Sequence, residues 1–292
     1  MPAISLVVCL YHEGDLLKRL LERAQGCYDD LVVVHDGPDT THVRAAVAAA
    51  GGRFFERPRE FQQEPHWPFA WREAAHDWIL RLDADEAPSA ELRAWLQNFR
   101  SAPPPPDDLS GYTCIWPLWD GKRAVTKRWP AGRNFLFHRQ RVRFFGMVEQ
   151  VPVGDGRWEP LELILEHEPT RPSYGLRYAL FRKQAASWRT RIATSLLLDS
   201  PAELPHWRWD GLPWPAPWAR IRAHPLREAM ERLFLWYLRG LRNFWLKEGR
   251  LFPLAAATGS LMHAQICLKY WRLRRAGAKY QRPVAPGRPA SK

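Results

Sequence analysis

Cysteine is scarce in this chain, and where it occurs it stands alone. Only four of the 292 residues are cysteine, Cys9, Cys27, Cys114 and Cys267, with no CxxC pair and no zinc-ligand spacing among them. That excludes a disulfide framework and a structural zinc module, and it suits a reducing cytoplasm. Long hydrophobic runs are missing too. The longest mostly apolar stretch, 251–268, is barely of spanning length and carries Thr258, Ser260, His263 and Gln265, so it is not expected to cross a membrane. The opening apolar run, 4–10, is too short for a secretory leader, lacks a basic lead and meets His12, Glu13 and Asp15 at once, so no cleaved leader is expected. Acid is what the C-terminal quarter lacks. From Arg220 onward 16 Lys and Arg face three acids (Glu228, Glu231 and Glu248), whereas the rest of the chain carries 27 against 28.

Nearly all of the net charge of +12 therefore sits in the tail, which marks an anionic partner, either a membrane surface or a nucleic acid. Over 225–245 the apolar residues Leu226, Met230, Leu233, Phe234, Tyr237, Leu241 and Phe244 recur at three and four. Arg227, Glu228, Glu231, Arg232, Arg239 and Arg242 take the other face, so the pattern predicts a basic amphipathic helix. Trp236, Trp245, Tyr270 and Trp271 interleave with arginines, as suits a bilayer headgroup region. The alternative is a helix that packs its apolar stripe on the body and leaves its arginines solvated. Nucleic-acid binding is disfavoured, because the arginines follow one helical face and no nucleic-acid motif accompanies them.

With 46% hydrophobic residues the chain can bury a large core. Its first third alternates apolar strands with helices: strands are predicted at 4–10, 31–35, 53–56 and 78–82, with helices at 15–25, 40–50, 68–76 and, opened by Pro88 and Ser89, to Phe99. This is the doubly wound α/β pattern. Between 112 and 165 the segments YTCIWPLWD, AVTKRWP, RNFLFHR, RVRFFG and ELILEHE read as short strands, and a helix is expected over 174–194. The segment 201–225 holds four tryptophans and six prolines, which argue against regular helix or central strand. It is expected to pack between body and tail, an aromatic platform for sugar or lipid being the alternative. The predicted organisation is a body at 1–200, a connecting segment at 201–224 and the basic helical tail at 225–292.

Acidic residues recur just beyond the apolar strands. Glu13 follows the first, Asp36 the second, and Asp83 with Asp85 follow DWILRL. In an open parallel sheet, ligands bind beyond the carboxyl ends of the strands, and right-handed crossovers bring those ends to one edge. Carboxylates gathered there call for a divalent cation, ribose hydroxyls or the donors of a nucleotide base. Taken singly, Glu13 also suits a helix N-terminus, Asp36-Gly37-Pro38 also suits a plain turn, and a DxD triplet arises by chance in acidic chains.

Taken together, LVVCLYHEGDLLKRLLE, VVVHDGPDTT and DWILRLDADEAPSAEL resemble the N-terminal blocks of family 2 glycosyltransferases of the GT-A fold. RNFLFHRQRVRFFGMVEQ and ILEHEPTRPSYGLRYALFRKQAA resemble the branch that includes lipopolysaccharide-core glucosyltransferases, and the aromatic basic tail resembles the membrane-associated helices of that branch. The resemblance implies that Tyr11 and Glu13 hold base and ribose, that Asp36 accepts from the base, and that Asp83 and Asp85 form the DxD motif. Asp83 would contact the nucleotide, and Asp83, Asp85 and His167 would bind Mg²⁺ or Mn²⁺. Glu149 would be the general base of an inverting transfer from a nucleotide-sugar donor, UDP-linked, to a lipid-linked or lipopolysaccharide-type acceptor at the cytoplasmic face of the plasma membrane. Two positions depart: Val148 replaces a histidine before the base, and Trp67-Pro68 replaces a basic-asparagine pair, leaving Arg72 or Arg133 to contact the diphosphate. These departures keep open a binder of nucleotide sugars that does not turn over.

Overall fold

A computed structural model describes residues 1–169 and 183–281. Strands β1 (Ile4–Leu10), β2 (Asp30–Asp36), β3 (Arg53–Arg57) and β4 (Trp78–Arg81) pair in parallel in the order β3-β2-β1-β4. Helices α1 (Gly14–Arg23), α2 (Val43–Ala49) and α3 (Trp67–Glu73) connect them. The sheet then continues through β7 (Ala131–His138), antiparallel to its neighbours β4 and β6 (Leu109–Ile115), and through β10 (Arg157–His167), parallel to β6. The short β5 (Glu86–Pro88) closes the far edge antiparallel to β10. This mixed α/β architecture matches the GT-A fold implied by the sequence.

Burial follows the two-residue period of a strand. Along β1, Leu6, Val8 and Leu10 face a core shared with α1 and with α4 (Ala90–Ser101), while Val7 and Cys9 face a second core built on Trp67 and Trp71 of α3 and on Phe144. Ser89 caps α4 by accepting from the Leu92 amide, as the sequence predicts. Phe144 belongs to β8 (Val142–Phe145), which pairs with β9 (Val153–Gly154) and β11 (His206–Trp207) in a small second sheet.

Helix α5 (Lys183–Ser195) is the described part of the helix expected over 174–194; 170–182 lie outside the described residues. The C-terminal part comprises α6 (Ala216–Ala223), then α7 (Pro225–Glu231), a π-helical turn (Arg232–Trp236) and α8 (Tyr237–Glu248) without a break, and finally α9 (Pro253–Arg275). Gly249 ends α8 at φ +68°, a left-handed conformation that glycine adopts without cost. Gly240 lets α9 approach α8: a Cβ there would lie 3.0 Å from that of Ala256. A third core, containing Phe145, Val148, Ile192, Trp218 and Ile266, joins these helices to the body. Among the described residues no helix is long and apolar enough to cross a membrane.

Three expectations are corrected. The segment AVTKRWP is a loop, because the amides of Lys127 and Arg128 are satisfied by the Glu248 carboxylate of α8 and not by a strand. The connecting segment does contain a helix, α6, with Pro215 and Pro217 at its start, where no amide hydrogen bond is forfeited; its tryptophans 209, 214 and 218 are buried as packing. In the tail the faces differ from the sequence pattern. Glu228 and Arg232 are buried as a pair 3.4 Å apart, whereas Leu226, Met230, Phe234 and Leu238 are exposed. Mutual pairing is what makes burial of such charges tolerable, and the π turn inserts an extra residue that displaces the stripe.

Candidate active site

The carboxyl ends of β1, β2, β4 and β10 open into one cavity of about 1470 Å³. Tyr11, Glu13, Asp36, Asp83, Asp85, Glu149 and His167 all line it. Its opposite wall comes from the C-terminal helices, through Trp236 of the π turn, Arg239 and Phe244 of α8, and Met262 and His263 of α9.

At the β2 end the Asp36 carboxylate accepts from Arg59 Nη1 (2.7 Å), the Glu60 amide (2.5 Å) and His66 Nε2 (2.9 Å). A carboxylate offers about four acceptor positions, so one remains. The Arg59 guanidinium also lies over the Tyr11 ring, which fixes the aromatic side chain beside Asp36. Glu13 stands at the start of α1 without capping it. Burial, with Asp85 and Asp83 close by, pushes its carboxyl up to about 7.

The DxD turn is held from behind. Arg133 Nη2 bonds Asp83 Oδ2 and Glu86 Oε1, each at 2.8 Å, and Glu86 also accepts from the Asp83 amide and Trp116 Nε1. Burial works to raise the Asp83 carboxyl, but Arg133, then Arg81 and His167, bring it below its usual value. Burial pushes the Glu86 carboxyl up, against the opposing pull of Arg133. Asp83 Oδ1 is buried without a hydrogen-bond partner. Asp85 lies 3.4 Å from His167 Nε2, and the imidazole stacks on Trp116 at 3.9 Å between centroids.

Across the cavity Glu149 sits at φ +64°, a strained conformation for a residue with a Cβ. Its amide donates to Glu64 Oε1 at 3.1 Å, which anchors the backbone. Burial and the neighbouring Glu64 push its carboxyl up to about 7.

Three expected roles meet a different geometry. Arg72 is exposed on α3 and does not line the cavity, because its neighbour Trp71 takes the inward position. Arg133 is spent on Asp83 and Glu86 behind the motif, and among the described residues Arg59, Arg220 and Arg239 are the arginines on the cavity wall. His167, Asp83 and Asp85 do not form a ready-made cage: among the described residues no three His, Cys, Asp or Glu side chains are gathered to enclose a metal. Trp116 and Arg59 lie just past the carboxyl ends of β6 and β3, where the strand-end rule applies, whereas Glu86 opens β5 directly after the DxD turn. His263 and Arg232 had no local signal.

Comparison with solved structures finds broad but distant likenesses. The chain is similar to the mannosyltransferase PcManGT from Pyrobaculum calidifontis in complex with GDP-Man and Mn²⁺, at 15% identity and a TM-score of 0.47 over 94% of this chain and 87% of that one. It is also similar to S. aureus TarS 1–349 in complex with UDP-GlcNAc, at 12% identity and a TM-score of 0.42 over 98% and 95% of the two chains. Residues 5–104, the stretch that supplies Tyr11, Glu13, Asp36, Asp83 and Asp85, match Glycosyl transferase family 2.

Proposed function

We propose that the protein is an inverting glycosyltransferase that moves a sugar from a UDP-linked donor to a lipid-linked or lipopolysaccharide-type acceptor in cell-envelope polysaccharide synthesis. The observation that carries this reading is the convergence of Glu13, Asp36, Asp83 and Asp85 at one sheet edge, facing Glu149 across a shared cavity. The base lies against Tyr11 and donates to the remaining acceptor position of Asp36. Glu13, titrating near neutrality, both donates to and accepts from ribose hydroxyls. Arg239 is the cation on the facing wall available to the diphosphate.

The motif fits Mg²⁺ or Mn²⁺, since Asp83 Oδ1 is unpartnered and Asp85 is partly exposed; such ions take one or two protein carboxylates and share the rest of their shell with phosphate oxygens. When bound, the ion supplies charge neutralisation for the departing nucleoside diphosphate. Glu149 takes the acceptor hydroxyl proton as the acceptor oxygen bonds the anomeric carbon and the carbon–diphosphate bond breaks. A base titrating near 7 is matched to that transfer at neutral pH. Asp85→Ala is expected to abolish donor turnover while melting like the parent; full turnover in that variant refutes the assignment.

Attachment to the anionic inner face of the plasma membrane is supported by the apolar face of α7, the π turn and α8. Phe234 and Trp245 are 57% and 58% exposed, and Arg227, Arg242 and Lys247 are exposed on the same run. The intact protein should float with phosphatidylglycerol-containing vesicles and fail to do so as Phe234→Glu/Trp245→Glu. No flotation of the parent protein counts against attachment.

A further inference from the structure

The side chain that faces Glu149 comes from a distant helix. His263 Nε2 of α9 lies 3.8 Å from Glu149 Oε2. On its other side, His263 Nδ1 lies 3.3 Å from Arg232 Nη1. A guanidinium has no acceptor, so Nδ1 must accept, and the ring proton is left on Nε2, the nitrogen nearer the carboxylate, at a separation that a small side-chain movement would close to a hydrogen bond. Arg232 cannot easily turn away. It is 1% exposed, pairs with Glu228 at 3.4 Å, donates to the Pro217 carbonyl at 3.4 Å, and lies over the Trp236 ring at 4.3 Å. Glu228 is held in turn by Arg220 Nε at 3.0 Å.

We propose that His263, locked by Arg232 as its Nε2–H tautomer, is a positioning residue that orients Glu149 for proton transfer, so that the C-terminal helices complete the active site. The proposal rests on Glu149 being the base. Geometry explains why a neutral imidazole serves better than a cation here. A cation would hold Glu149 ionised and weaken it as a base, whereas a neutral N–H fixes its direction and leaves its proton affinity high. Burial and then Arg232 hold His263 down to about 3, which favours the neutral ring. Among the described residues, the charged groups facing the pair are Arg232 from the π turn and Glu64 from the Glu64–His66 turn. Val148, the residue next to Glu149, packs into the third core and leaves the position beside the carboxylate to His263.

Long-range ¹H–¹⁵N spectra of histidine-labelled protein test the tautomer without any substrate. The resonance lost in His263→Ala should report an Nε2–H imidazole that does not titrate between about pH 5 and 8, and it should shift in Glu149→Gln. An Nδ1–H form, or titration near pH 6.5 as in a free histidine, overturns the proposal. With UDP-glucose hydrolysis as readout, His263→Ala should lower kcat about tenfold to a hundredfold at unchanged KM. His263→Gln, which keeps an N–H, should recover part of the loss, and His263→Ala should cost nothing further in a Glu149→Gln background. Additive losses overturn the positioning role. Full activity of Glu149→Gln overturns the base assignment instead, and the spectra then still report whether the contact exists.

Discussion

Replacing Arg133 by methionine removes the one cation that bridges Asp83 and Glu86 at 2.8 Å each. All three side chains are largely shielded, at 18%, 21% and 0% exposure, so solvent replaces little of what is lost. Breaking a buried pair by deleting one partner costs about 3–5 kcal/mol, and here two carboxylates are left facing each other. At an m-value of about 3 kcal/mol/M in urea the midpoint should fall by roughly 1 M or more at neutral pH. Adding Glu86→Gln removes the uncompensated repulsion and should restore a substantial part of that loss. The pH dependence has a definite sign. Asp83 titrates below its unfolded value, so its contribution is present above the ordinary carboxylate range and is lost as pH falls through the folded value. In Arg133→Met both carboxyls rise, and the penalty should shrink on moving from pH 7.5 toward 5. Urea unfolding of the parent, the single variant and the double variant at both pH values decides it. A loss below 1 kcal/mol, or an equal loss in the double variant, refutes the electrostatic account of the motif.

Transfer should depend on pH through Glu149. Its carboxyl titrates at about 7, so kcat should rise with pH through that value and level off above it; a flat profile from pH 6 to 8 removes Glu149 as the base. The same raised group makes the folded state bind more protons than the unfolded one between about pH 4.5 and 7, so its effect on stability is unfavourable as pH rises through that window and constant above it. Glu248→Ala should free the amides of Lys127 and Arg128 and speed tryptic cleavage between 122 and 128; an unchanged digestion pattern would mean that the loop is held by other contacts.

What the sequence discloses depends on how local its physics is. Strand β1 is legible because both faces are buried and the run is continuous, and the N-terminus of α4 because Ser89 is a cap in a three-residue reach. The acidic strand ends are legible because a parallel sheet places them at one edge whatever the loops do. The segment at 124–130 misleads because its hydrogen-bond partner is a single carboxylate from α8, which no alternation pattern encodes. The tail's faces mislead because Glu228 and Arg232 read as surface charges until each is seen to satisfy the other inside a helix layer. His263 is invisible at the level of motif, since nothing in its own neighbourhood resembles a catalytic signature. Glu86, by contrast, follows Asp85 directly, so the residue that anchors Arg133 and Trp116 stands in the motif's own sequence neighbourhood.

Calorimetric titration of UDP into the intact protein with Mn²⁺, repeated with EDTA and with Asp85→Ala, tests most directly whether the acidic sheet edge is a nucleotide-diphosphate site. Saturable binding that requires the metal and is lost in Asp85→Ala is the expected result. No binding of UDP, GDP, ADP or CMP with Mn²⁺ present, or UDP binding indifferent to both EDTA and Asp85→Ala, contradicts it.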